Sequence, residues 1–430
     1  MTFWSWFPIV LMFILFFIKI PVGFALIISS AAYFLFGPNT MSITMMCQKM
    51  IAANESFVFL AIPFFTCAAV IFNYSGITRK LMNLADALMG HMVGGLGHVN
   101  ILMSGLMGGL SGSALADTAM ETKMIVPEME RLGYSKAYSC AVTAASSCVT
   151  PIIPPGIILI LYAAASNVSV AKLFFAGYFP GILLLIAMFI VNHIISSKRN
   201  YRANRERKAT AKEILHAFRE SVWALLIPFG IILGLRFGVY TPTEAGAVSV
   251  VYAIIIGAFF YKELKPKHIV PILIESLLAT AGIMFILTGA QAFSLYLTWE
   301  RIPMIISQAI VQNVTSPVGY LIIVNVVLLI LGLFFDGSAA MILMAPLLVP
   351  AAAALHIDLL QFGIIMCVNL TIGSVTPPFG AQMFVTCTIA NCKLEDFYRE
   401  IMPYVLCLII ALMLLTYIPQ ISLFIPNLLL

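Results

Sequence analysis

From Phe174 to Ile195 the chain runs 22 residues without Asp, Glu, Lys or Arg, and apolar stretches of similar character recur along its 430 residues. Each is long enough to cross roughly 30 Å of hydrocarbon. In lipid a backbone must satisfy its own hydrogen bonds, which leaves only helices or a closed barrel. Neither 174–195 nor 404–418 alternates apolar and polar residues as barrel strands do. The expected fold class is an all-α polytopic membrane protein. Composition points the same way: 62% hydrophobic against 10% charged residues is more apolar surface than a wetted soluble shell can hide.

The net charge of +5 gathers largely in one run, Lys198, Arg199, Arg202, Arg205, Arg207 and Lys208, with Glu206 as its acid. Between two spans such a run marks a cytoplasmic loop rather than a nucleic-acid surface. The eight cysteines are scattered through spans without metal-ligand spacing, as small apolar fillers are. Residues 4–18 follow no basic start and precede no small-residue cleavage site, so they are expected as a retained span.

The chain also resembles itself roughly 220 residues on. Pro21–Tyr33 (PVGFALIISSAAY) is echoed by Pro242–Tyr252 (PTEAGAVSVVY). Val99 and Asn100, followed by Leu110–Ala114 (LSGSA), match Val324 and Asn325, followed by Phe335–Ala339 (FDGSA). Ser147–Pro151 (SCVTP) and Pro154–Gly156 (PPG) match Ser374–Pro377 (SVTP) and Pro378–Gly380 (PFG), and Pro127 and Pro180 pair with Pro350 and Pro403. A collinear series of this kind indicates two homologous halves. With 198–208 and 262–268 in the cytoplasm, counting spans opens the first half toward the cytoplasm and the second toward the periplasm, an inverted repeat. The same count puts both termini in the periplasm.

Each half carries two interruptions inside apolar runs. The first is a small polar tip, Ser111–Ser113 or Asp336–Ser338, which predicts a re-entrant hairpin. The second is proline-rich, Thr150–Gly156 (TPIIPPG) or Thr376–Gly380 (TPPFG), which predicts a broken helix with free carbonyls. Irregular backbone at membrane depth survives where it is buried or lines a cavity. Free carbonyls with Ser, Thr and Asn oxygens suit Na+, and helix N-termini beside them suit a carboxylate. Kinks packed only against their neighbours are the structural alternative.

Asp117, one turn beyond the first tip, and Asp336, at the second, are ionisable groups at costly depth and hence functional candidates. Either could ligate or balance a cation; Asp117 could instead cap the hairpin and organise Ser111 and Ser113. Glu244 fits an N-cap pattern after Thr241, and Glu55 beside Asn54 reads as structural. His98 and His356 are expected at surface turns. Residues 77–92 and, more weakly, 302–313 (Ile302, Ile305, Ile306, Ala309, Ile310) present apolar stripes expected of interfacial helices joining a static scaffold to mobile hairpins. There is no GxxxxGK[ST], nucleophile elbow or dinucleotide fingerprint, so an ion gradient or another chain must supply the energy, and no enzymatic activity is expected.

Together, Gly94–Asn100 (GGLGHVN), Ser111–Asp117 (SGSALAD), Pro151–Pro155 (PIIPP), Thr241–Ala245 (TPTEA), Val250–Ala253 (VVYA) and Thr376–Gly380 resemble the large membrane subunit of TRAP (tripartite ATP-independent periplasmic) transporters, over about 21–403. The resemblance implies sodium-driven uptake of an organic anion across the bacterial inner membrane by an elevator-type movement. It also implies two partners, a periplasmic substrate-binding protein and a small four-helix membrane subunit, the latter not fused here. Carried onto this chain, sodium (Na+) would be held by Ser111, Gly112, Ser113, Thr150 and Pro151, and by Asp336, Gly337, Thr376 and Pro378. The substrate would lie between these sites, against Ser113, Asp117, Thr150, Pro154 and Thr376. No membrane-buried Arg stands near the hairpins, since Arg236 and Arg301 fall near predicted span ends. A hydroxyl-rich substrate held by Ser, Thr, Asn and helix dipoles is compatible with that, and sialic acid is expected before a C4-dicarboxylate. A stand-alone sodium–anion symporter on a related inverted-repeat fold, needing no soluble partner, is the rival reading; a silent scaffold or channel-like subunit is another.

The expected organisation is scaffold helices at 1–75, an amphipathic arm at 76–93, and a first hairpin and broken helix at 94–173. Scaffold helices with a basic loop at 196–219 fill 174–297. A second arm at 298–315, a second hairpin and broken helix at 316–395, and a C-terminal scaffold helix at 396–430 complete the chain.

Overall fold

The computed structural model describes residues 3–18, 20–37, 42–313 and 316–429. The expectations that touch 1, 2, 19, 38–41, 314, 315 and 430, and the Ile310 side chain, fall outside the described residues. Within them the chain is helical, and eight helices are long and apolar enough to cross a membrane. The fold is an all-α polytopic bundle with an inverted repeat, two hairpins and two proline-broken helices.

The hairpins form where the small polar tips interrupt the apolar runs. Helix Gly95–Ser111 stops at Gly112, whose φ of +59° ends the helix, and Ser113 caps the returning helix Ala114–Met124. A side chain at Gly112 would put its Cβ 2.1 Å from the Pro155 carbonyl oxygen, so the tip is seated on the first proline break. In the second half Pro317–Phe334 turns at Phe335 and Asp336, and the Asp336 carboxylate caps Gly337–Ala354 by accepting from the Ser338 amide at 3.0 Å. The breaks likewise fall at the prolines. Lys136–Ser146 resumes as Ile157–Ser166, and Leu359–Gly373 resumes as Ala381–Ala390.

The halves interlock reciprocally. The helix after the first break, Ile157–Ser166, packs on the second hairpin's return helix Gly337–Ala354. The helix after the second break, Ala381–Ala390, packs on the first hairpin's return helix Ala114–Met124. There Thr122 donates to Thr386 at 3.0 Å. Paired asparagines repeat the same logic inside each half: Asn100 donates to Thr143 at 2.7 Å, and Asn325 accepts from Asn369 at 2.8 Å. Small residues allow the closest approach, since a Cβ at Gly373 would fall 2.6 Å from the Gly332 Cα.

The packing adds two details to the expected organisation. Val170–Arg199 and Leu394–Tyr417 were expected with the scaffold, within 174–297 and 396–430. They pack on each other, and on hairpin and broken-helix segments including Gly95–Ser111, Lys136–Ser146 and Leu359–Gly373. The reason is polar: Asn192, buried in the first of these helices, accepts from Tyr138 at 2.5 Å and from Tyr404 at 3.1 Å, and Arg199 pairs with Glu400 at 2.8 Å. The basic loop is also shorter than 196–219. Helix continues to Arg199 and restarts at Ala211, where Thr210 and Glu213 form a capping box, so the irregular segment is 200–210.

The remaining framework gathers around the long helix Ile269–Trp299, against Val22–Phe36, Ile43–Asn54 and Ala61–Tyr74, with Pro242–Ile255 on the last of these. Thr241 and Glu244 form the expected N-terminal cap there. The amphipathic helix Ile77–Met89 lays Ile77, Leu81 and Leu84 inward against Gly95–Ser111 and Ala211–Arg236, and leaves Arg79 exposed. Its counterpart Ile302–Asn313 packs on Gly337–Ala354. His356 lies at the turn before Asp358, as expected, but His98 does not lie at a surface turn. It is fully buried in Gly95–Ser111, stacked on Phe189, because the helix begins at Gly95 and carries His98 inward.

Candidate functional site

The two hairpin tips converge on one cavity of about 310 Å³. The first half lines it with Gly112–Ala116, Pro151, Ile157 and Ile158; the second with Asp336–Ser338, Thr371, Ser374 and Gln382. The third wall is Ala279 and Ile283 of Ile269–Trp299. Its polar groups are serine, threonine, an amide and one carboxylate. Among the described lining residues none is Lys, Arg or His.

A smaller cavity of about 100 Å³ opens beside the first tip, between it and Ala61–Tyr74, and is lined by Ser111, Ser113, Asp117, Thr66 and Asn73 among others. Behind it Asp117 and Glu121 stand one helical turn apart on the first hairpin's return helix, 1% and 0% exposed. Thr150 donates to Asp117 Oδ2 at 2.6 Å, and Ser104 donates to Glu121 Oε2 at 2.8 Å. Asp117 Oδ1, Glu121 Oε1 and Ser111 Oγ have no protein partner. Hard oxygens left bare beside two buried carboxylates are the donor set that Na+ takes, so the residues present fit that ion.

The tip residues Ser111, Gly112 and Ser113, with Asp117, Thr150 and Pro151, therefore form one neighbourhood around the first tip and break. Asp336 and Gly337 share the larger cavity with Gly112, Ser113 and Pro151. Four expected residues do not line either cavity: Thr150 stands behind them on Asp117, and the other three are committed elsewhere. Pro154 is buried within the first break, the Thr376 hydroxyl donates to the Ile372 carbonyl at 2.7 Å, and Pro378 is exposed with its carbonyl accepting from Tyr398 at 3.3 Å. Glu121, Thr371, Ser374 and Gln382 were not anticipated. Glu121 carries a legible signal, its spacing of four residues from Asp117; Ser374 lies in the repeated SVTP motif; Gln382 and Thr371 carry none beyond being polar in an apolar segment.

The family model of the tripartite ATP-independent periplasmic transporter, DctM component, matches residues 9–421. The chain belongs to this family. Its relatives include the sialic acid TRAP transporter large permease protein SiaM of Vibrio cholerae, 36% identical over 96% of this chain and 96% of that one. They also include the C4-dicarboxylate TRAP transporter large permease protein DctM of Pseudomonas aeruginosa, 36% identical over 91% of each chain. Among solved structures, the YdaH transporter of Alcanivorax borkumensis matches with a TM-score of 0.67 over 95% of this chain and 98% of its own, at 12% identity, a likeness of fold. The chain is a TRAP large permease.

Proposed function

We propose that this permease carries a small organic anion, sialic acid before a C4-dicarboxylate, inward across the bacterial inner membrane on a sodium gradient. A periplasmic binding protein delivers the substrate and a small four-helix membrane subunit braces the chain. The observation that carries the reading is the convergence of both hairpin tips on one cavity whose described lining has no basic side chain, next to bare hard oxygens around Asp117. An anion there meets no basic side chain among the described lining residues, so a bound Na+ would supply the positive charge and make the two bind together.

Sodium would be held by Ser111, Ser113, Asp117 and Thr150 with backbone around Gly112 and Pro151 on one side, and by Asp336 and Gly337 with the second break on the other. The anion would meet Ser113, Ser338 and the amide of Gln382 in the cavity. Ala279 and Ile283 belong to the framework, whereas every other lining residue belongs to the hairpins and broken helices. An elevator movement would slide the latter group past that wall.

The test is uptake of radiolabelled sialic acid into proteoliposomes holding this chain and its small subunit, with the inward sodium gradient and the binding protein each present or omitted. Uptake that needs both supports the reading. Uptake with sodium alone favours a stand-alone symporter, and none with sialic acid, succinate or malate under any condition refutes organic-anion transport.

A further inference from the structure

Two glycines cap the helices that follow the breaks, Gly156 and Gly380. Counted from them, the second helical residue is Ile158 in one half and Gln382 in the other. Both line the cavity between the tips. The repeat therefore offers an apolar wall from one half and an amide from the other, at equivalent places.

Gln382 is 0% exposed. Its backbone amide donates to the Ser374 carbonyl at 3.0 Å, and its side-chain Oε1 lies 3.3 Å from Cys148 Sγ. The Cys148 contact engages one end of the side-chain amide, yet Nε2, with two N–H donors, has no protein partner. The neighbouring Ser374 and Thr371 hydroxyls donate to the Thr371 carbonyl at 2.7 Å and the Val368 carbonyl at 2.8 Å, and neither accepts from Nε2. A buried donor held in place without an acceptor is costly, and native structures pair such groups with a ligand or water.

We propose that Gln382 determines specificity in this permease by donating from Nε2 to an acceptor oxygen of the transported anion, while Ile158 meets a less polar part of the same molecule. The ligand class this selects is a lopsided anion, oxygen-rich toward the second half and carbon-rich toward the first. The assignment rests on the transport reading above. A site that holds a substrate oxygen with a buried donor discriminates strongly against analogues lacking it.

The experiment compares wild type with Gln382→Met, close in shape but without the donor, and Gln382→Glu, which puts a carboxylate in its place. Uptake of sialic acid, succinate and malate is measured in proteoliposomes with the small subunit and binding protein present. For the substrate that wild type takes up, KM rises about tenfold in Gln382→Met and further in Gln382→Glu. Maximal rate falls less, and the sodium concentration for half-activation does not move. An unchanged KM in Gln382→Met overturns the assignment alone, as does a KM change matched by an equal shift in sodium activation, which marks a structural role. If Gln382→Met does not reach the membrane, Gln382→Asn withdraws the donor by one methylene and must show the same split at smaller size, or the assignment fails. Absence of wild-type uptake of all three anions overturns the transport reading and this assignment together.

Discussion

The Thr150 hydroxyl donates to Asp117 Oδ2 across 2.6 Å, joining the first proline break to the first hairpin's return helix. One carboxylate oxygen is thereby held and the other, Oδ1, is left bare. Thr150→Val removes the donor while keeping the shape, so the carboxylate loses its fixed orientation. Sodium activation of uptake is expected to need about tenfold more sodium, whereas Thr150→Ser stays near wild type. Equal activation curves for Thr150→Val and wild type would show that the Thr150 hydroxyl does not position the ion site.

Asp117 and Glu121 are buried together without a basic partner among the described residues that touch them, an arrangement whose ionised form is costly unless a positive charge is supplied. Asp117→Asn removes one of those carboxyl groups. The sodium-free protein is expected to unfold a few degrees higher than wild type, and the extra stability that sodium confers on wild type is expected to disappear. Thermal unfolding in sodium and in choline chloride measures both effects. A sodium-dependent rise preserved in Asp117→Asn would remove Asp117 from the cation site.

Much of this arrangement was legible in the residues themselves. SGS and DGS inside apolar runs located both hairpin tips, since a small polar tip cannot continue an apolar helix at that depth. The prolines located both breaks because each removes a donor and crowds the preceding turn. The partners of Val170–Arg199 and Leu394–Tyr417 were not legible, because helices facing lipid and helices facing protein are apolar in the same way. Only Asn192, polar within a span, hinted at the tyrosine pair it accepts from. His98 was misplaced because the glycines before it resemble a surface turn, whereas Gly94 in fact starts a buried helix. Gln382 became visible only when the fold set it against Ile158 across the cavity.

Asp336 and Ser113 occupy the two tips that meet at the shared cavity. Asp336→Ala removes both a cavity carboxylate and the cap on Gly337–Ala354, a loss of about 1 kcal/mol in helix stability. Ser113→Ala removes a cap of the same kind. Neither loss approaches the stability of a whole domain, so both proteins are expected to reach the membrane in normal amount. Uptake is expected to fall at least about tenfold in each, the cost of losing a charged or polar contact to the ion or substrate. Wild-type uptake and sodium dependence in both variants would remove the tips from the transport site.

Were the hairpins to move past the framework, contacts inside the interlocked halves would travel together and contacts with the framework would slide. Thr122 and Thr386 touch between two segments of the hairpin-bearing group, 3.0 Å apart. Ala116 and Ala279 line the same cavity but belong to the hairpin and to the framework helix Ile269–Trp299. In a background freed of the eight native cysteines, a Thr122→Cys, Thr386→Cys pair is expected to cross-link without loss of uptake. An Ala116→Cys, Ala279→Cys pair, bridged by mercuric ion, is expected to arrest uptake, and a reducing thiol is expected to restore it. Transport that continues with Ala116 and Ala279 bridged would mean that the tip does not move past the framework helix, and the hairpins would then work as a gate around a fixed cavity.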